Sequence, residues 1–169
     1  MHTVPHWITA PLPGKLAIAA RPRGGDWLED ELRAWKNAGV TEIVSRLTPD
    51  EEASLTLEAE AGLSHAQSLA FRNLAIEDRS VPSSDSATAN FIDLISRDLS
   101  RGENVVVHCR QGIGRAGMIS AAILIHSGLD AAHAIERASG ARGVAVPETA
   151  QQLDWIHRFA RTLHEAVRT

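Results

Sequence analysis

The chain has 169 residues, 44% of them hydrophobic and 22% charged, with a formal net charge of −4. That is enough apolar material for one sizeable core in a single domain spanning residues 1–169, and the negative balance argues against a general nucleic-acid or anionic-membrane binder, which carries a surplus of Lys and Arg. The longest apolar run, around Ile119–Ile125, is far too short to cross a bilayer; Met1–Pro5 lacks the charged and apolar regions of a secretory leader, and the lone Cys109 excludes an internal disulfide, so the expected location is the cytoplasm.

Residues 1–13 read as an N-terminal arm. After the Pro11-Leu12-Pro13-Gly14 turn, Leu16–Ala19 is a short strand, and Arg21–Gly25 breaks it before a helix with Asp26 as its N-cap. Leu28, Leu32 and Trp35 recur at helical spacing on one face, and Asn37–Gly39 end the helix. Val40–Ser45 is the next strand. Pro49-Asp50-Glu51-Glu52 opens an acidic helical region to about Gln67, with a break near Gly62 and its charges on a solvated face. Leu69–Ile76 is a strand, and 77–83 a polar loop. A helix beginning at Ser83 or Ser84 carries Ala87, Phe91, Leu94, Ile95 and Leu99 on its apolar face and stops at Arg101-Gly102. Beyond the next strand come a nearly all-apolar helix to Ile125, a helix from Asp130 to about Ser139, looser chain at 140–143, and a last helix from about Pro147. The stripe Leu153, Ile156, Phe159, Ala160, Leu163 and Val167 is assigned to core, and Trp155 to packing. Strands alternating with helices predict an α/β fold: one three-layer domain with a mainly parallel central sheet and helices on both faces, and a site beyond the carboxyl ends of the strands.

The most informative segment is 105–117. Val105-Val106-Val107 is a buried strand, Cys109 follows it directly, and Arg110-Gln111-Gly112-Ile113-Gly114 is a glycine-rich turn into a helix at Arg115. The helix start offers unpaired N–H groups and a positive dipole end, so an anion is held there by backbone alone. Cys109 and Arg115 form Cys-x5-Arg: one loop supplies a nucleophilic sulfur favoured as thiolate, a cradle of amides over Arg110–Arg115, and a guanidinium able to grip two phosphoryl oxygens. It is not a nucleotide-binding loop, which needs Gly-x4-Gly-Lys, because no lysine follows Lys36. The eight histidines do not supply a metal site: His2 and His6 flank Pro5, His126 and His133 straddle Gly128, and no carboxylate or second cysteine completes either pair. No metal or other cofactor is expected.

His108-Cys109-x2-Gly112-x2-Arg115-Ala116-Gly117 resembles the cysteine-dependent protein tyrosine and dual-specificity phosphatases, whose signature is His-Cys-x2-Gly-x2-Arg-[Ser/Thr]-Gly, over roughly residues 14–160. The resemblance implies that fold and a metal-free hydrolysis of phosphate monoesters through phosphocysteine, acting on phosphotyrosine and on phosphoserine or phosphothreonine. A phosphorylated protein or small phosphomonoester is then the partner. The leaving oxygen needs a proton from an acid on another loop. Ala75–Pro82 resembles the family's Pro-Ile-x-Asp-x-x-Val-Pro, which implies Asp78 as that acid, with Glu77 and Asp85 as its nearest competitors. Thr149–Gln152 resembles the family's Thr-x-x-Gln, implying that Gln152 positions the hydrolytic water; the alternative is a surface residue on a helix start. Strand alternation turns His108 away from the phosphate, where it hydrogen-bonds the loop from beneath. Two positions depart: Ala116 replaces the hydroxyl that helps sulfur leave, so breakdown of phosphocysteine is expected to limit turnover, and Glu148 stands where tyrosine-specific members have glutamine. Both departures fit a second reading, a pseudophosphatase that binds phosphorylated partners. A third, a phosphoinositide or RNA 5′-phosphatase, fits less well, because Arg110 is the only added charge in the loop.

Overall fold

The computed structural model describes residues 1–169. Five strands, β1 (His6–Ile8), β2 (Leu16–Ala19), β3 (Glu42–Ser45), β4 (Ala70–Asn73) and β5 (Val105–His108), form one sheet in the order β1-β2-β5-β3-β4. β1 runs antiparallel to β2, and the other pairs are parallel. β2, β3 and β5 are buried along their whole length, as parallel strands covered on both faces must be. β5 is central, so the residue after it leaves the sheet where the flanking strands also end.

Helices α4 (Asp85–Ser100), α5 (Arg115–His126), α6 (Ala131–Arg142) and α7 (Ala150–Arg168) enclose the larger core with Val44, Val105 and Val107. α5 is buried from Arg115 through Ile125, and α4, α6 and α7 all pack on it. On the opposite face, α1 (Leu28–Asn37) sets Leu28, Leu32 and Trp35 against Ala17, Ile43 and Val106. Two short helices, α2 (Pro49–Ser54) and α3 (Glu60–Ala66), lead from β3 to β4. The three-layer, mostly parallel α/β architecture is the one expected. No helix is long and apolar enough to cross a membrane.

Several boundaries differ for physical reasons. The arm contains β1, whose three residues are too few to show a period of two. Asp26 lies in a short 3-10 turn rather than at the cap, and α1 starts two residues later with no side-chain cap. The acidic region breaks at 55–59, not at Gly62, because Leu57 is drawn into the core at 1% exposure while Thr56 turns left-handed at φ 53°. β4 is confined to Ala70–Asn73 at the sheet edge. α6 runs through Gly140 to Arg142 and ends at Gly143, φ 83°. α7 is capped by Thr149, and its buried face passes through Gln152, Trp155 and Ile156, leaving Leu153 and Val167 exposed.

Candidate active site

Cys109, 3% exposed, lies in a cleft of ≈ 190 Å³ that it lines with Asp78, Arg79, Arg110, Gln111, Gly114, Arg115 and Glu148. The loop above it is shaped by glycine. Gly112 has φ +69°, and a Cβ there would sit 2.3 Å from the Ala19 backbone, so only glycine seats the loop on the end of β2. Gly117 meets Val146 closely enough that a Cβ would lie 2.7 Å from the Val146 side chain. Arg142, at the end of α6, ties the loop from outside: its Nε donates to the Gly112 carbonyl at 3.0 Å and its Nη2 to the Gln111 carbonyl at 3.0 Å. These two bonds fix the Gln111 and Gly112 carbonyls on Arg142. Gly114 caps α5 without any side-chain hydrogen bond, which leaves first-turn N–H groups open to an anion. The Arg110 and Gln111 side chains are exposed at the rim, whereas Ile113 packs against the core.

Arg115 is 1% exposed. Its Nη1 donates to Glu51 Oε2 at 2.6 Å and to the Ile76 carbonyl at 2.7 Å; its Nη2 donates to Glu51 Oε1 at 2.8 Å and to Asp78 Oδ1 at 3.1 Å. Burial disfavours the cation, but Glu51, Cys109 and Asp78 outweigh it and raise the Arg115 pKa. Burial likewise pushes the Glu51 carboxyl up, and the Arg115 and Thr48 hydrogen bonds override it to hold that carboxyl below its ordinary value. Asp78, half exposed, reaches the cleft from the loop after β4. The next residue, Arg79, has φ 59° and donates from Nη1 to Glu148 Oε1 at 2.6 Å, which joins the Asp78 loop to the start of α7.

His108 lies on the far face, with Nε2 at 2.7 Å from Glu60 Oε1 and Nδ1 at 3.3 Å from the Cys109 carbonyl oxygen. Gln152 is fully buried rather than on the surface. Its Oε1 accepts the N–H groups of Glu148 and Thr149, each at 3.2 Å, and its Nε2 donates to the Ser80 carbonyl at 3.1 Å. It therefore braces the Asp78 loop against α7. Ala116 is fully buried and offers no hydroxyl. Neither competitor of Asp78 lines the cleft: Asp85 Oδ1 accepts Trp155 Nε1 at 3.1 Å, and Glu77 is exposed elsewhere.

Glu51, Glu60, Arg142 and Arg46, whose carbonyl accepts Arg115 Nη1 at 3.4 Å, are site residues that sequence reasoning missed. Only Glu51 left a local signal: Thr48-x-x-Glu51 is a capping box, and both of its hydrogen bonds form. That signal marks a helix start, not a partner for Arg115.

A family model described as polymorphic toxin system, DSP-PTPase phosphatase (Tc-R-P) matches residues 17–129. No curated protein matches the chain significantly. Among solved structures, the fold is similar to kinase-associated phosphatase with its catalytic-site cysteine replaced by serine, at TM-score 0.87 and 17% identity over 97% of each chain. It is similar to Tk-PTP in the active form, at TM-score 0.73 and 22% identity over 88% of this chain and 92% of that one. It also resembles PTPMT1 in complex with PI(5)P, at TM-score 0.76 and 17% identity over 95% and 99%. With that match covering β3, β4, β5 and most of β2, the Asp78 loop and the whole cysteine loop, the chain belongs to the polymorphic-toxin-system DSP-PTPase phosphatase family.

Proposed function

We propose that the protein is a phosphoprotein phosphatase that hydrolyses phosphate monoesters on tyrosine, and on serine or threonine, through a phosphocysteine intermediate. The observation that carries this reading is the convergence of Cys109 and Arg115, from one loop, with Asp78, from a distant one, on a single cleft. A phosphate dianion enters the ring of loop N–H groups with phosphorus facing the sulfur. All four Nη hydrogens of Arg115 are already engaged, so phosphate gains a second Arg115 oxygen contact by displacing Asp78 from Nη2. Asp78 is thereby freed toward the leaving oxygen. A sulfur lone pair forms the S–P bond as the P–O bond breaks, and protonated Asp78 delivers its proton to that oxygen. Water then attacks phosphorus, gives its proton back to Asp78, and the S–P electron pair returns to Cys109 as inorganic phosphate leaves. Arg115 tightens as the transferred group flattens.

Two features favour a protein phosphomonoester over a polyphosphorylated headgroup. The carboxylates of Glu148 and Asp78 line the cleft, and of the two additional cations there Arg79 is paired to Glu148, which leaves Arg110 at the exposed rim as the one free charge. Turnover of an aryl phosphate is the test. Cys109→Ser is expected to abolish it while keeping phosphate binding, and Asp78→Asn to lower it by roughly two to four orders of magnitude. Retained turnover in the Ser variant would overturn the assignment, and phosphate binding without turnover by the wild type would establish the pseudophosphatase instead.

A further inference from the structure

Arg46, the residue after β3, is fully buried, and its Nη1 and Nη2 have no hydrogen-bond partner. Only Nε is engaged, on the Ser45 carbonyl at 2.9 Å. A guanidinium taken out of water on these terms persists only opposite an anion. The sheet register fixes which one. Ser45 pairs with His108, and the Arg46 N–H donates to the His108 carbonyl at 3.0 Å, so Arg46 and Cys109 leave the sheet side by side. Alternation sends both side chains to the same face, where Cys109 belongs to the larger core and the Arg46 guanidinium lies 4.4 Å over the Phe91 ring. The nearby acids are committed elsewhere: Glu51 and Asp78 hold Arg115, and Glu60 holds His108 on the other face.

Resting on the phosphatase reading above, we infer that Arg46 is a positioning residue whose buried charge holds Cys109 as the thiolate, standing in for the hydroxyl that Ala116 lacks. Sulfur is anionic before attack and again after phosphocysteine breaks down, so a fixed cation on its inner side favours the start of the first step and the end of the second. Burial lowers the Arg46 pKa to about 9, with the Cys109 charge working against that and Arg115 adding to it, so the guanidinium stays protonated at neutral pH.

The test is the pH profile of Cys109 alkylation by iodoacetamide in the wild type, Arg46→Met, Arg46→Gln and Arg46→Lys, with thermal melting to check the fold. Exchanging an unpartnered buried cation for a neutral chain of similar length is expected to leave the protein folded. Both neutral variants should move the alkylation midpoint up by about one pH unit or more, and Arg46→Lys should restore most of the difference. A midpoint unchanged in the neutral variants overturns the inference. So does failure of both to fold, because a purely electrostatic role tolerates a neutral replacement. A wild-type thiol that titrates like free cysteine would remove the phosphatase reading itself, a result distinct from either.

Discussion

Glu51→Gln isolates what the acidic start of α2 does for the reaction. The carboxylate makes a two-pronged contact with Arg115 at 2.6 and 2.8 Å, and Arg115 is 1% exposed where Glu51 is 14%. Glutamine keeps the length, and its carbonyl oxygen can still accept the Thr48 N–H that Glu51 accepts at 3.0 Å, so the helix cap is preserved while the charge and the bond from Arg115 Nη2 to Oε1 are lost. Removing one member of a buried pair costs about 3–5 kcal/mol, and the partial exposure of Glu51 together with the surviving Ile76 and Asp78 contacts puts the loss near the low end, about 3 kcal/mol. At ~1.4 kcal/mol per decade, a loss felt equally by the transition state is about a hundredfold in kcat/KM, the same size as misplacing a catalytic group by ~1 Å. Steady-state turnover of an aryl phosphate gives kcat/KM, and urea unfolding gives the stability. The expected pattern is a loss in both, with kcat falling more than KM rises, because Arg115 tightens on the flattened phosphoryl group. A variant within about threefold of wild-type kcat/KM would refute the idea that Glu51 aims the guanidinium.

Gly112→Ala forces a Cβ to within 2.3 Å of the Ala19 backbone at φ +69°, so the loop must lift from β2; phosphate binding and turnover should both collapse while α-helical circular dichroism persists, and an active Ala variant would contradict the seating described. At Glu31, burial raises the pKa, but hydrogen bonds from Thr3 and Arg23 override it and hold the carboxyl at about 2 against an ordinary 4.5. The shift is a depression, so its stabilisation, about 3 kcal/mol for a side chain that is fully buried, is present above pH 4.5 and fades as pH falls toward 2. Urea unfolding of Glu31→Gln should show that gap at pH 7 and a much smaller one at pH 3, and a gap independent of pH would refute the assignment.

The parts of the site legible in the sequence are those that neighbours in the chain make together. Cys109, the glycine turn and the start of α5 are contiguous, so the strand, the cysteine at its end and the open helix start that suits an anion follow from local rules. Ser84, Asp130 and Thr149 are N-caps whose side chains all make the capping bond, and the helices after them begin where caps dictate. What was hidden depends on pairs far apart in sequence. Glu51 meets Arg115 across 64 residues, Glu60 meets His108 across 48, and Arg142 meets Gly112 across 30. Each is a charged residue on a polar-looking stretch, and nothing local distinguishes it from one facing water. Local rules therefore place the whole acidic region in solvent, although Glu60 is 1% exposed and lies 2.7 Å from His108. Gln152 differed in the same way: the capping-box spacing was visible, but its burial comes from Ser80 on a distant loop.

The proposed reaction brings a dianion to a chain with a net charge of −4, and most cations around the cleft are already paired. Arg115 is matched by Glu51 and Asp78, Arg79 by Glu148, and His108 by Glu60. On the proposed reading, backbone N–H groups beside Gly112, Arg142 and the α5 terminus carry much of the field on phosphate, with the buried Arg46 and the rim Arg110 as the unpaired cations. Their dipoles are fixed before substrate arrives and need no reorganisation during the reaction. The Asp78–Arg115 contact acquires a use from this balance. Asp78 satisfies an Nη2 hydrogen of a buried cation, and in the proposed reaction phosphate takes that hydrogen and releases the carboxyl beside the bond to be broken. Binding the correct group and presenting the acid become one exchange at a single guanidinium nitrogen, and an anion too small or too remote to reach Nη2 leaves Asp78 where it was.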